Sequence, residues 1–97
     1  MLFSIRCIDR TDMPGLRAQT RPKHLEYLKS LGSRIVAAGP ILAEDEATPI
    51  GSLLIVEGPD RASATQLAAQ DPYTEVGLFA ETTIQPFRLV FINPPSA

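Results

Sequence analysis

The chain's only histidine, His24, is the side chain best suited to exchange protons near neutral pH. It lies in the segment RPKHLEYL at residues 21–28. If this segment is helical, its 3.6-residue period puts His24, Leu28 and Leu31 on one face. The imidazole then faces inward, and a buried imidazole needs partners for its ring nitrogens. His24 is therefore a candidate general acid or base, with a hydrogen-bonded core histidine as the alternative.

Asp71 is the candidate partner of His24. It ends a predicted second helix, and Pro72 biases it away from helical backbone angles. The helix dipole disfavours a carboxylate at a C-terminus, so a cationic or imidazole partner is expected there. A carboxylate bonded to one imidazole nitrogen fixes the tautomer and makes the other nitrogen a better base. The alternative is that Asp71 only turns the chain ahead of Pro72.

Two arginines share the predicted helical face of His24. Counting backward along the helix places Arg17 and Arg21 on the His24 side. One end of this face is polar and the other apolar, as in a helix that lines a cleft at one end. The arginines are thus candidates for binding an acidic group, or they extend into solvent. Pro22 predicts either a kink or the first turn of a second helical piece.

Polar residues on the predicted strands add to the candidate site. Arg6 and Ser52 have apolar neighbours, so they either line a polar pocket or reflect the ordinary alternation of a strand. Cys7 alternates with bulky apolar residues, which is typical of a small buried hydrophobe rather than a nucleophile. The acidic run at 44–46 is predicted to be a solvated loop tip. The sequence has no phosphate-binding loop or dinucleotide fingerprint, and we expect no cofactor.

The composition indicates a single small domain spanning residues 1–97. The net charge of −2 argues against nucleic-acid binding. No stretch approaches the roughly 20 apolar residues that span a bilayer. The first residues lack the features of a signal peptide, so we expect a cytoplasmic location. One cysteine and one histidine cannot form an internal disulfide or a Cys/His metal site, and we expect no metal.

The predicted elements follow the order β-α-β-β-α-β. Strands are predicted over residues 2–8, 34–42, 51–57 and 82–92, because of their alternation or their apolar runs. The first helix is predicted to end at Leu31 before Gly32, and the second to begin after the N-cap Asp60 and run to about Gln70. Residues 73–80 are predicted to be a loop or short turn. This order is that of the ferredoxin-like α+β fold, an antiparallel sheet with two helices on one face.

Apolar runs in two strands predict a partner for the second face of the sheet. Leu53–Val56 and Leu89–Ile92 are apolar at consecutive positions, whereas a strand with one solvated face alternates. The two helices cover only one face. We therefore expect a homodimer in which two sheets pack face to face.

Five segments of the chain, taken together, resemble the YciI-like family over nearly its whole length. They are RPKHLEYL at 21–28, AGPIL at 38–42, GSLLIVE at 51–57, DPY at 71–73 with GLF at 77–79, and TIQPFR at 83–88. Each segment alone is weak evidence for the resemblance, but the order and spacing of all five segments are specific to the family. The chain departs from the family pattern in the loop 44–49, which lacks a common glycine, and at Phe87, where tryptophan is common.

The resemblance implies a ferredoxin-like chain that pairs into a dimeric α/β barrel, with a His–Asp active site at His24 and Asp71. A related dehydrochlorinase acts on a chlorinated hydroxylated aromatic with such a pair, and muconolactone isomerases have a similar barrel. By analogy, we expect a cofactor-free lyase or isomerase acting on a small cyclic or aromatic substrate. The candidate substrate-binding residues are Arg6, Arg17, Arg21, Ser52 and Tyr73.

Two other hypotheses remain open from the sequence. The chain could be a non-catalytic dimeric module that binds a small molecule or serves as an interaction domain. Alternatively, His24 and Asp71 form a structural hydrogen bond only, and His24→Ala then costs folding stability but no activity. An imidazole titration whose coupling to a carboxylate disappears in Asp71→Asn favours the catalytic pair.

Overall fold

The chain folds as a ferredoxin-like α+β structure, in a computed structural model that describes residues 1–95. Residues 96–97 of the predicted single domain lie outside the described residues. The elements are β1 (Leu2–Asp9), α1 (Leu16–Leu31), a 3₁₀ turn (Gly32–Arg34), β2 (Ile35–Leu42), β3 (Pro49–Glu57), α2 (Arg61–Ala69), α3 (Pro72–Glu75) and β4 (Phe79–Phe87). The strands form one antiparallel sheet in the order β2-β3-β1-β4. The predicted fold class is confirmed.

The core lies between the helices and one face of the sheet. Strand β1 alternates, and its buried residues Phe3, Ile5 and Cys7 point toward the helices. Leu54 of β3 and Leu67 of α2 complete this layer, with other members of the same cluster. The sheet surface opposite the helices, here called the outer face, carries no element within residues 1–95.

Helix α1 is continuous through Pro22, so the predicted second helical piece does not occur. It begins after Gly15, whose φ of 83° is a left-handed conformation that glycine adopts without steric cost. It ends before Gly32, as predicted. No helix within residues 1–95 has the length and apolar character to cross a membrane.

Strand β4 ends earlier than predicted. The prediction placed its end at Ile92, but the strand stops at Phe87. Phe87 pairs with Leu2, the first residue of β1, so the pairing between the two strands ends there. Residues 88–92 therefore have no strand to pair with, and the apolar side chains of Leu89–Ile92 lie exposed beyond the sheet. Of the two apolar runs, only Leu53–Val56 lies in a strand.

Candidate functional site

A cavity of about 490 Å³ opens between α1 and the β2–β3 side of the sheet. Its wall brings together five residues singled out from the sequence, namely Arg17, Arg21, His24, Ser52 and Tyr73. Most of the remaining wall is apolar, with Ala18, Leu25, Leu28, Ala38, Pro40 and Pro49 among its members. A largely apolar cavity with a few convergent polar groups is typical of a small-molecule site.

His24 and Asp71 form a buried pair at this cavity. The His24 Nδ1 atom lies 2.9 Å from Asp71 Oδ1, and the two residues are only 8% and 3% exposed. An ionised carboxylate only accepts hydrogen bonds, so His24 donates through Nδ1, and Nε2 carries the free lone pair when the ring is neutral. Nε2 has no hydrogen-bond partner within residues 1–95. Every buried side-chain nitrogen or oxygen atom in those residues does have a partner, so Nε2 is not a buried atom. Nε2 is therefore open to the cavity that His24 lines.

Asp71 is held in place by a helix that the sequence did not predict. Residues 73–80 were predicted to be a loop or short turn, but Pro72–Glu75 form the one-turn helix α3, and Asp71 is its N-cap. The backbone N–H of Tyr73 donates to the same Oδ1 atom, at 3.0 Å, that accepts from His24. Pro72 occupies the first helical position, where no N–H is needed. The prediction placed Asp71 at the C-terminus of the second helix, but α2 ends at Ala69 and the carboxylate lies at the N-terminus of α3, where a helix N–H stabilises negative charge.

Arg17 forms an ion pair with Asp9, a residue that sequence reasoning missed. The guanidinium donates to both Asp9 carboxylate oxygens, at 2.7 and 2.8 Å, and Nη2 also donates to Ser52 Oγ at 2.9 Å. Burial opposes the charge on Arg17, but the hydrogen bonds and charge of Asp9 outweigh it, so the pKa of Arg17 is raised. The one available signal was the position of Asp9, an acidic residue at the end of an alternating apolar strand.

Tyr73 links this ion pair to the histidine. Its ring stacks on the His24 imidazole with centroids 4.1 Å apart and planes 19° apart. The Arg17 guanidinium carbon also lies over the Tyr73 ring, 4.6 Å from its centroid. Burial raises the pKa of Tyr73 despite the opposing charges of Arg17 and Arg21, so its phenol is neutral at neutral pH. These contacts of Tyr73 with Arg17 and with the imidazole restrict the orientation of the His24 ring.

The two remaining candidates from the sequence, Arg21 and Arg6, lie on different surfaces of the protein. Arg21 is exposed at the cavity wall, whereas Arg6 is exposed on the outer face, where its neighbours across the strands are Leu53 and Thr83. The structure therefore does not bring Arg6 to the cavity, because side chains of a strand alternate and its neighbour Cys7 takes the inner face.

Cys7 is a buried free thiol, and burial raises its pKa. It is therefore protonated at neutral pH, which disfavours a nucleophilic role. The described part of the chain contains no cluster of three or more histidine, cysteine, aspartate or glutamate residues that could hold a metal ion.

Fold and site together define a class of protein: a ferredoxin-like α+β chain with a histidine–carboxylate pair in the wall of a largely apolar cavity. Residues 1–88 match the model of the YCII-related domain. The chain belongs to this family.

Two curated relatives and one solved structure support the assignment. Protein YciI of Escherichia coli is 34% identical over 94% of this chain and 100% of its own length. An uncharacterised protein of Haemophilus influenzae is 38% identical over 77% of this chain and 84% of its own. The solved structure is 5-chloro-2-hydroxyhydroquinone dehydrochlorinase (TftG) from Burkholderia phenoliruptrix AC1100, in complex with 2,5-dihydroxybenzoquinone. It is 32% identical, with a TM-score of 0.81 over 91% of this chain and 94% of that one.

Proposed function

We propose that this protein is a small cofactor-free lyase or isomerase in which His24 is the general acid/base and Asp71 its orienting carboxylate. The observation that carries the proposal is the 2.9 Å hydrogen bond between His24 Nδ1 and Asp71 Oδ1, with Nε2 open to the cavity. The similarity to a dehydrochlorinase supports an enzyme of this kind. The substrate class is a small cyclic or aromatic compound.

The pair supports proton transfer in both directions. Nε2 accepts a proton from a carbon or hydroxyl of the substrate, and the imidazolium that forms is stabilised by the Asp71 carboxylate on the other side of the ring. In an isomerisation, Nε2 returns the proton to a different atom of the substrate. In an elimination, chloride leaves with its bonding electrons, so the substrate loses HCl in total.

The cavity suits a flat ring. Leucine, proline and alanine side chains provide apolar walls, and about 490 Å³ accommodates a single substituted ring. Tyr73 contributes a neutral phenol, which can donate a hydrogen bond to a substrate oxygen. These features support an aromatic or quinonoid substrate.

The test is turnover of 5-chloro-2-hydroxyhydroquinone, followed without oxygen by chloride release and by ultraviolet absorbance. We expect the wild-type protein to release chloride, and His24→Ala to lower kcat at least about 100-fold, the usual range for removing a general acid/base. Lys23→Ala is the matched control, because Lys23 is exposed on the same helix and makes no side-chain hydrogen bond within residues 1–95. Turnover by His24→Ala at the wild-type rate would contradict the proposed mechanism.

A binding probe separates this function from a non-catalytic binding module. The probe is 2,5-dihydroxybenzoquinone, whose hydroxyls ionise at neutral pH, titrated by calorimetry. Binding of the probe without turnover of any related hydroxylated ring favours the module. Binding together with His24-dependent turnover favours the enzyme.

A second copy of the chain is proposed to cover the outer face of the sheet. Leu53 is 42% exposed there, although it lies in the middle of an internal strand. The exposed apolar segment Leu89–Ile92 extends from the edge strand β4 and adds further surface for a partner. These exposed apolar surfaces support the homodimer expected from the sequence, in which two such sheets pack face to face. Cys7, a buried free thiol, supports a reducing compartment such as the cytoplasm.

A further inference from the structure

We infer that Arg21, rather than Arg17, is the specificity-determining residue of the cavity and that it selects ligands with an ionised oxygen on the ring. The inference rests on the proposed function only in taking the cavity as the ligand site. It assigns a charge preference to that site, which the His24–Asp71 pair alone does not define.

Arg17 is already neutralised by the protein. Its guanidinium forms a two-point ion pair with Asp9, and both side chains are largely buried, at 14% and 11% exposed. The Nη2 atom uses its second donor on Ser52, and the guanidinium lies over the Tyr73 ring. To bind a ligand oxygen as a free cation, Arg17 would have to leave a buried carboxylate unpaired, which is costly.

Arg21 is in the opposite situation. It lines the cavity, but within residues 1–95 it forms no ion pair and no side-chain hydrogen bond. The cavity wall includes no aspartate or glutamate that could neutralise it. Arg21 is thus the one cation of the wall without an ionic partner in the described chain. Its five N–H donors match an anionic oxygen in geometry as well as in charge.

The position of Arg21 fits recognition of an oxygen on a ring that His24 deprotonates. The two residues are three apart on α1, so they share one face of the helix. The charge of Arg21 acts on the phenol of Tyr73, which stacks on His24. A ring held between the apolar walls can therefore present an ionised oxygen to Arg21 and another atom to His24 Nε2.

The experiment compares the dihydroxyquinone probe with its dimethyl ether, 2,5-dimethoxybenzoquinone, which has the same ring and no acidic hydroxyl. We expect the wild-type protein to bind the ionised probe more tightly than the ether. Arg21→Gln should weaken binding of the probe by about tenfold, as expected for one charge-assisted hydrogen bond at an exposed site, and change binding of the ether less than about twofold. Arg21→Lys, which keeps the charge, should recover part of the loss.

Lys23→Gln is the matched control, since it removes one positive charge from the same helix outside the cavity wall. We expect it to change binding of both quinones less than about twofold at moderate salt. The inference is overturned if Arg21→Gln weakens both quinones equally, if Lys23→Gln has the same effect as Arg21→Gln, or if the wild-type protein binds neither compound. Loss of selectivity in Arg21→Gln with turnover independent of His24 would retain this inference and reject the proposed function.

Discussion

Three planar side chains and two carboxylates organise the candidate site. Asp9 holds Arg17, Arg17 lies over Tyr73, Tyr73 stacks on His24, and His24 donates to Asp71. Arg17, Tyr73 and His24 each contact two neighbours in this series, whereas the Nε2 edge of His24 has no hydrogen-bond partner within residues 1–95. The imidazole is therefore fixed in orientation and open to the cavity at one nitrogen, which is the state that a general base requires.

The tautomer of His24 is a direct prediction of this arrangement. In the neutral ring the proton resides on Nδ1, because the Asp71 carboxylate only accepts, and Nε2 is unprotonated. Nitrogen-15 correlation spectra at a pH where the ring is neutral should show this tautomer in the wild-type protein. Asp71→Leu should shift the population toward the Nε2–H form that is favoured in water. A wild-type ring protonated mainly on Nε2 would contradict the Nδ1–Asp71 hydrogen bond.

Sequence reasoning at the residue scale reached His24 but not its whole environment. Helical periodicity placed His24 inward, and the family resemblance supplied Asp71. The Asp9–Arg17 pair joins the end of β1 to the first turn of α1. The periodicity of neither element reveals that these two side chains meet. Arg6 was kept as a candidate although the alternation of the strand already put Cys7 inward, because the sequence did not show which face of the sheet borders the cavity.

The hardest features to predict were the shortest helix and the strand end that depends on a neighbouring strand. Helix α3 is a single turn, too short to show a hydrophobic period, although Asp71-Pro72 is a typical N-cap and first position. The end of β4 depends on where β1 begins, which no pattern within β4 reveals. The long helix α1 and the central strands β1 and β3 were predictable, because their periods extend over enough residues.

The close approach of β1 and β3 beside the cavity gives a stability prediction. A Cβ atom added at Gly51 would lie 2.3 Å from the backbone carbonyl oxygen of Cys7, so the strands would have to separate. Gly51→Ala should lower the free energy of unfolding by about 1–3 kcal/mol. Gly39→Ala is the control, because nothing lies within 4 Å of its added Cβ. Its effect should be within about 0.5 kcal/mol.

Urea unfolding of both alanine variants at one protein concentration makes this comparison. Equal stability of the Gly51 and Gly39 variants would show that β1 and β3 lie farther apart at Gly51 than they do in the structure. A selective loss in Gly51→Ala supports the register in which Gly51 lies opposite Ile8.

At the scale of the whole molecule, no element within residues 1–95 covers the outer face of the sheet. The helices pack on the inner face, and the outer face presents Leu53 next to the mixed surface of β1 and β4. A sheet face with exposed apolar residues in an internal strand favours a covering partner, and we propose that a second copy covers it with two-fold symmetry. The fold could be predicted from the order of elements, whereas this assembly remains a prediction.

Leu53→Arg tests the dimer. Sedimentation of the wild-type protein at micromolar concentration should give twice the mass of the chain, and Leu53→Arg should shift the protein to monomer because it places a charge within the buried interface. Val76→Arg is the matched control, since Val76 is equally exposed, at 43%, but follows α3 rather than lying in the sheet. A monomeric wild-type protein would contradict the proposed assembly, while leaving the cavity within each chain unaffected.

The central claim is that His24 and Asp71 act as one catalytic unit, and a double-mutant cycle on kcat for 5-chloro-2-hydroxyhydroquinone tests it most directly. His24→Ala should lower kcat at least about 100-fold, and Asp71→Asn about 10- to 100-fold, with little change in KM. The double variant should be no slower than His24→Ala, because an orienting carboxylate has no effect once the imidazole is gone. Effects of the two substitutions that multiply, or a kcat for His24→Ala equal to the wild-type value, would contradict the claim.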